Sequence, residues 1–419
     1  MEYDLIIAGG GAAGCFAAAH AAAEGLRVLV LDGNDRLMHK LSITGKGRCN
    51  LTNACDPETL MRNILRNPRF LYSAFSRCAP QDVMDYFEQC GVPLKIERGR
   101  RVFPVSDQAK DIVAALLGQM KAHGAEIRLR TPVKRLLTEN GRCVGVQAAG
   151  GAEFRADAVL LATGGMSYPR TGSRGDGYRL AEQAGHTVKP PQPSLIPLET
   201  AEQDAAQMQG LSLRNVTLTV KNGKKTLFSE QGEMLFTHFG ISGPLVLSAS
   251  CLMDSDKLNA YELRIDLKPA LTPEQLDQRL LRDFAEVPNR ALSNVLKSLL
   301  PASMIPVILA RAGLSGSEKV NSVTREQRRT LGETVKSLCY HVSAMRPIAE
   351  AIVTRGGVSV REVNPNTMES KLMPGLYFAG ELLDTDGFTG GYNLQIAFAT
   401  AYTAAAAISE RKNSLFYAG

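Results

Sequence analysis

The chain has 419 residues, of which 44% are hydrophobic and 21% charged, a balance that excludes a disordered, collagen-like or fibrous polypeptide. At about 150 residues per domain there is room for two or three domains and a core that needs no staples. The 48 basic and 42 acidic residues leave a formal net charge of +6, too weak to imply a nucleic-acid partner held by clustered phosphate contacts.

In chain order, residues 3–8 predict a short buried strand centred on Leu5, Ile6 and Ile7. A glycine cluster follows, then an alanine-rich stretch from Ala12 to Ala23 that favours helix. Leu26 to Leu31 predicts a second parallel strand, completing a βαβ unit. Residues 107–123 predict an amphipathic helix with Ile112, Leu116 and Met120 on one face. Val159 to Ala162 predicts a buried strand closed by Thr163-Gly164-Gly165. Pro190-Pro191-Gln192-Pro193 can continue neither a helix nor a central strand, so a domain boundary is placed there. Residues 194–268 carry β signals: Val216, Leu218 and Val220 alternate, Asn222-Gly223 is a hairpin turn, and Leu263, Ile265 and Leu267 alternate again. From 272 the pattern is helical. Thr272-Pro273-Glu274-Gln275 holds an N-cap, a first-turn proline and a capping-box glutamine, followed by Leu276, Leu280 and Phe284. Thr324 and Gln327 open another helix with Leu331, Val335 and Leu338. After Gly356-Gly357 the chain returns to an α/β pattern.

Eight cysteines stand at 15, 49, 55, 78, 90, 143, 251 and 339, with no Cys-x-x-Cys pair. No His/Cys/Asp/Glu group has metal-ligand spacing, so no metal is expected. The start, Met1-Glu2-Tyr3-Asp4, is acidic where a signal peptide is basic, and no run of 18 apolar residues occurs. The expectation is a reduced, cytoplasmic protein without a membrane span, acting on a small molecule.

Chemistry resides first in Gly9-Gly10-Gly11-Ala12-Ala13-Gly14, a Gly-x-Gly-x-x-Gly placed between a strand and a helix. Gly9 permits the turn, Gly11 lets backbone approach a pyrophosphate, and Gly14 lets helix pack on strand. The phosphates would sit at the positive end of the helix, beside Ala12 and Ala13. Asp32 ends the second strand 18 residues on, where a carboxylate can accept ribose hydroxyls. Two further apolar strands end in glycine, at Thr163-Gly164 and at Gly380-Glu381. The latter runs through Gly387-Phe388-Thr389-Gly390-Gly391-Tyr392 into Asn393-Leu394-Gln395. The free amides of the helix opening near Asn393 could stabilise negative charge on a reduced flavin. Strand–glycine motifs in all three thirds of the chain fit FAD rather than NAD. No second fingerprint follows a strand, so a separate nicotinamide domain is not expected, while transient NAD(P)H binding over the flavin is.

Lys40-Leu41-Ser42-Ile43-Thr44-Gly45-Lys46-Gly47-Arg48-Cys49-Asn50-Leu51-Thr52-Asn53 resembles the hallmark of the BaiN-type, YhiN-like flavoprotein family. So do Gly99-Arg100-Arg101-Val102-Phe103-Pro104, the stretch Leu235 to Pro244, and Thr367-Met368-Glu369-Ser370-Lys371. The resemblance spans nearly the whole chain. That family includes 3-dehydro-bile acid reductases and aminoacetone oxidases. It implies an α/β architecture with a Rossmann-like FAD-binding domain of glutathione-reductase type, in two parts at 1–190 and 346–412. Residues 191–345 would be inserted, as a β lobe (191–270) and a helical lobe (271–345) that roof the flavin, and 413–419 would be a tail. It places FAD contacts on Gly9, Gly11, Gly14, Asp32, Lys40, Leu41, Gly47, Arg48, Cys49, Asn50, Val133, Gly164, Gly380, Asn393 and Gln395, Val133 through its backbone to the adenine. Relatives usually carry Glu where Asp32 stands, and often glycines near Thr400-Ala401-Tyr402. Gly172 to Tyr178 is similar to a segment of fumarate reductases and ketosteroid dehydrogenases, which mildly favours reduction of an enone and equally suits a shared structural turn.

Two residues are candidate acids. His238 follows an apolar strand and could protonate a carbonyl or a substrate carbon, or else hydrogen-bond its own loop. Tyr168 could face the flavin as an acid or a wall, or else pack before Pro169. Cys49 invites a redox reading, although a structural or flavin-adjacent thiol is favoured. Arg98, Arg100 and Arg101 read either as a solvated turn or as partners of an anionic substrate or an NADPH phosphate. The function expected is an FAD-dependent oxidoreductase in which NAD(P)H supplies the electrons for reducing a carbon–carbon double bond conjugated to a ketone, in a 3-oxo bile-acid or steroid-like substrate. The alternatives are a flavin-dependent amine oxidase and, more remotely, a flavin-containing RNA-modifying protein.

Overall fold

The computed structural model describes residues 2–417. The chain forms two compact units, one built from Met1–Ser194 with Ile348–Gly419 and one from Leu195–Pro347.

The first unit is organised around a parallel sheet. Strands β1 (Tyr3–Ala8), β2 (Val28–Leu31), β3 (Glu126–Arg128), the second half of β4 (Glu153–Leu161) and β5 (Leu376–Phe378) lie in the order β3-β2-β1-β4-β5. Every residue of β1, β2 and β5 is buried, the pattern of strands covered on both faces. The first half of β4 pairs antiparallel with Arg142–Ala148, which pairs with Val133–Glu139. The strand order reverses between β1 and β4, and the crevice beyond their carboxyl ends is where such sheets receive a ligand. Helix α1 (Ala12–Ala23) follows β1 and packs on the long helix α3 (Tyr392–Tyr417). Alanines make that approach close: Ala17, Ala18, Ala21, Ala399, Ala401 and Ala404 are all fully buried, so glycines near Thr400 are not needed. The helix Ala109–Ala122 buries Ile112, Leu116 and Met120, the face that the periodicity predicts.

The proline-rich segment is neither helix nor central strand. Val188–Ser194 is a strand, paired antiparallel with Val353–Val358 in a two-stranded ribbon. The register shifts between Lys189 and Gln192, so Pro190 and Pro191 sit where no ladder N–H is required.

The second unit holds a closed barrel whose strands run in the order Leu198–Thr200, Gly240–Ser242, Lys225–Thr237, Ser212–Asn222, Tyr261–Asp266 and Leu338–Met345. The helices Pro273–Glu286 and Arg325–Lys336 both begin with a complete capping box, from Thr272 and Gln275 and from Thr324 and Gln327. Leu338 is not on the second helix. Its chain turns at Ser337 and Leu338 opens the barrel strand that pairs with Tyr261–Asp266, so the last part of the stretch read as helical is β structure. Helix α3 likewise continues through residues 413–417 of the expected tail, while 418–419 lie outside the described residues. Among the described residues no helix is long and apolar enough to cross a membrane.

Candidate cofactor and active site

The three fingerprint glycines meet three different constraints. Gly9 has φ +105, and a Cβ there would lie 2.6 Å from the Ala162 carbonyl oxygen, at the tip of β4. Gly14 is pressed against the turn itself, since a Cβ would lie 1.9 Å from the Gly9 carbonyl oxygen. Gly11 is the opposite case: an added Cβ would meet nothing within 4 Å. It is also the N-cap of α1 and offers no side chain to the amides of the first turn, so those of Ala12 and Ala13 have no side-chain cap. An open glycine at an uncapped helix start is a cradle for an anion.

Asp32 stands at the end of β2 and is buried. Its two carboxylate oxygens accept from the Gly10 and Asn34 amides, each at 2.7 Å, so it braces the glycine turn. A second lone pair remains on each oxygen. The Thr131 amide donates to the Asp32 carbonyl at 2.8 Å, which brings the approach to Val133 alongside the end of β2.

Helix α2 (His39–Gly47) and the turn after it are locally strained. Gly45 and Gly47 have positive φ, as do Lys46 at +60 and Cys49 at +61, neither of which is glycine. Such residues cost about 1–3 kcal/mol each and cluster at functional turns. Leu41 is buried in the core beneath. The Arg48 guanidinium pairs with Glu97 and Asp107 and lies 4.1 Å from the Phe103 ring centre, so its head group is engaged within the protein. Cys49 is fully buried, and burial pushes its thiol up to about 12, the setting of a structural thiol rather than of an activated thiolate. The Asn50 side-chain oxygen is buried without a hydrogen-bond partner, and so is the Thr163 hydroxyl.

Four distant segments converge on one polar cluster. Lys40 Nζ donates to Ser167 Oγ at 2.6 Å and to Glu381 Oε2 at 2.7 Å. Glu381 Oε1 accepts from Ser167 Oγ at 2.9 Å and from the Thr354 amide at 2.8 Å. Thr354 Oγ1 in turn accepts from the Met166 and Ser167 amides. Ser167 and Thr354 are fully buried and carry no sequence signal of their own, being single hydroxyl residues 187 positions apart. Gly164 and Gly380 both have positive φ at the ends of β4 and β5, and Gly380 donates its amide to Thr400 Oγ1.

At the start of α3 the side chains are occupied. Asn393 clamps Gly387 through both its amide atoms at 2.9 Å. Gln395 is fully buried, accepting from Thr52 Oγ1 and donating to the Cys78 carbonyl. Asn393 and Gln395 therefore fix the helix start, and the Gln395 amide is itself engaged by the Gly391 carbonyl at 3.0 Å, leaving the backbone amides of Asn393 and Leu394, rather than these side chains, to face a ligand. Tyr168 is held at φ +52, and burial, with the Glu350 charge, raises its hydroxyl pKa. His238 belongs to the second unit, exposed at the hairpin tip between Thr237 and Gly240, with its ring 5.0 Å from Phe239. The two candidate acids thus belong to different units.

The residues present fit FAD: an open glycine cradle at a helix start, a braced carboxylate at the end of β2, and an orphaned acceptor on Asn50. With the 3-2-1-4-5 sheet they define a class, the FAD-binding flavoprotein oxidoreductases of Rossmann type with an inserted barrel. The chain belongs to the HI0933-like family, whose Rossmann-domain profile matches residues 3–407. It is 31% identical to a 3-dehydro-bile acid delta(4,6)-reductase of Clostridium scindens over 97% of this chain and 98% of that one. It is also 31% identical to a ribosomal RNA dihydrouridine synthase of Escherichia coli, over 99% of this chain and all of that one. Among solved structures, a 3-ketosteroid delta1-dehydrogenase of Sterolibacterium denitrificans shares the fold, with a TM-score of 0.52 at 14% identity over 98% of this chain and 99% of that one.

Proposed function

We propose that this protein uses FAD, with NADH or NADPH as electron donor, to reduce a carbon–carbon double bond conjugated to a carbonyl. The observation that carries this reading is the equal, full-length similarity to two differently named relatives. A 3-oxo-4,6-diene and a uracil ring look unrelated, yet each presents an electrophilic β-carbon activated by a carbonyl. Reduction adds a hydride there and a proton at the α-carbon.

In this reading the amides of Gly11, Ala12 and Ala13 hold the pyrophosphate, with Gly9 and Gly14 shaping the turn. Asp32 receives the ribose hydroxyls and the Val133 backbone meets the adenine. Gly47, Arg48, Cys49 and Asn50 contribute the strained turn, mainly through backbone, and the Asn50 oxygen gains the partner it lacks. Lys40, Glu381, Thr163, Gly164 and Gly380 border the ribityl chain and ring. The α3 amides at Asn393 and Leu394 stabilise negative charge on the pyrimidine edge, while Gln395, whose amide and side chain are both engaged, holds the helix start in place. When bound, FAD supplies the hydride chemistry. Tyr168, whose raised pKa keeps it protonated at neutral pH, is one candidate proton donor; His238 and water are the others.

The substrate we favour is a 3-oxo, steroid-like enone. A uracil base in RNA is the second reading, supported by the synthase relative. An amine-oxidase activity on an aminoacetone-like substrate would require the opposite flow of electrons. The test is to incubate the FAD-loaded protein and NAD(P)H with a 3-oxo-Δ4 steroid or with unmodified ribosomal RNA and weigh the products. A gain of two hydrogens on either supports the reductase. No gain on either, with peroxide formed from aminoacetone, would reverse it.

A further inference from the structure

We propose that the turn Arg98-Gly99-Arg100-Arg101 is a phosphate-binding edge of the cofactor site, gripping a phosphate of the molecule that reacts there. The proposal rests on the flavin reading above. Three independent observations support it.

The first is position. The turn joins the antiparallel strands Leu94–Glu97 and Arg101–Pro104. Asn53, which is buried, donates from one Nδ2 to the Gly99 carbonyl at 3.0 Å and to the Gly390 carbonyl at 2.9 Å. The Ala54 amide donates to the Arg100 carbonyl at 2.8 Å. The turn is thereby pinned to the residues that lead into α3, the helix assigned to the flavin's pyrimidine edge.

The second is charge. In the same small sheet, Arg48 and Lys95 are neutralised by Glu97 and Asp107. Arg100 has only Asp56, at 3.8 Å. Arg98 and Arg101 make no ion pair within 4 Å among the described residues, and Glu97, the cross-strand neighbour of Arg101, is already shared between Arg48 and Lys95. Arg101 spends its Nε on the Arg98 carbonyl at 3.0 Å, which orients the guanidinium and leaves its terminal N–H groups free. A planar fork of this kind matches a phosphate in two-point geometry, which a lysine ammonium does not.

The third is backbone strain. Arg100 holds φ +58 beside Gly99 at +75, in a conformation that glycine or asparagine would adopt at less cost. A solvated turn does not need an arginine there.

The phosphate could be the 2′-phosphate of NADPH or the backbone of an RNA substrate. The experiment compares full-length protein with the Arg98→Gln/Arg101→Gln and Arg98→Lys/Arg101→Lys variants, each loaded with FAD. One arm measures the Kd of NADPH and of NADH from anaerobic flavin reduction. The other titrates a short uridine-containing RNA at several salt concentrations. A roughly tenfold rise in Kd for NADPH with NADH unchanged, and little rescue by lysine, assigns the 2′-phosphate. Weaker RNA binding with a salt slope reduced by about 0.7 per arginine removed assigns the RNA backbone. Variants that match the parent in both arms while retaining FAD overturn the proposal. Should the parent protein take up no FAD, the functional reading fails separately, and the RNA arm, which needs no flavin, still judges the turn.

Discussion

Gly11 and Gly14 stand three residues apart in one motif, yet substitution of each should fail in a different way. Gly14→Ala would drive a methyl to 1.9 Å from the Gly9 carbonyl, so the turn or the helix must shift. We expect a loss of about 3 kcal/mol in a denaturation experiment without added cofactor. Gly11→Ala meets no neighbour within 4 Å and has φ −83, so the apoprotein should melt as the parent does. Its FAD affinity should fall about tenfold or more, because the methyl occupies the cradle. Equal melting of both variants would contradict this division of roles. A separate residue-scale expectation concerns Cys49. Because it is buried with its pKa raised to about 12, Cys49→Ala should keep the rate of flavin reduction by NAD(P)H, measured by absorbance. The fingerprint is readable from sequence because strand, turn and helix are contiguous. The cluster of Lys40, Ser167, Thr354 and Glu381 is not, since its members lie up to 341 positions apart and only the fold joins them. Nor does the motif around Asn393 reveal that its side chain clamps Gly387.

The loop before α3 is an element held from outside. The Leu65 amide donates to the Asp386 carbonyl at 2.8 Å, and the Phe388 amide donates to the Asn63 carbonyl at 3.0 Å. Asp386 is buried and accepts from Arg66 at 2.6 and 2.7 Å and from Ser194 Oγ at 2.7 Å. Removing one partner of such a pair strands the other. Asp386→Ala should therefore cost about 3 kcal/mol and weaken FAD retention through the displaced helix start, measured by chemical denaturation and by flavin content after gel filtration. Unchanged flavin content would show that this loop does not position the cofactor. A pH effect belongs to β1. Burial alone would raise the Asp4 carboxyl, but hydrogen bonds from Arg27 and Lys412 outweigh it and hold the group at about 2. A depressed carboxylate stabilises the fold above its unfolded pKa, near 4, and that contribution disappears as pH falls through about 2. Asp4→Asn should thus be less stable by about 1–2 kcal/mol at pH 7, discounted for the exposed Arg27, with the difference vanishing near pH 2. A gap that persists at pH 2 would point to a packing effect instead. Element identity was legible where periodicity or capping was strong, as at Ala109–Ala122 and Thr272. It failed at Leu338, whose spacing suits a helix although the chain has already turned, and the ribbon strand Val188–Ser194 was not legible because its prolines leave no periodic signal.

At the scale of the whole molecule, the two units have separate hydrophobic cores, one centred on β1, β2 and α1 and one inside the barrel. The residues proposed to contact FAD all lie in the first unit. Saturating FAD, at about a hundred times its Kd, should stabilise that unit by about 2.7 kcal/mol. The most direct test of the central claim is anaerobic stopped-flow absorbance near about 450 nm, the band of an oxidised flavin. The FAD-loaded protein is mixed with NADH or NADPH, and separately with aminoacetone. A 3-oxo-Δ4 steroid, a uridine-containing RNA or oxygen is then added. The account predicts bleaching by NAD(P)H and rapid recovery on adding the enone or the RNA. Bleaching by aminoacetone with fast recovery in oxygen would contradict the reductase, and a protein that binds no FAD would contradict the cofactor assignment itself.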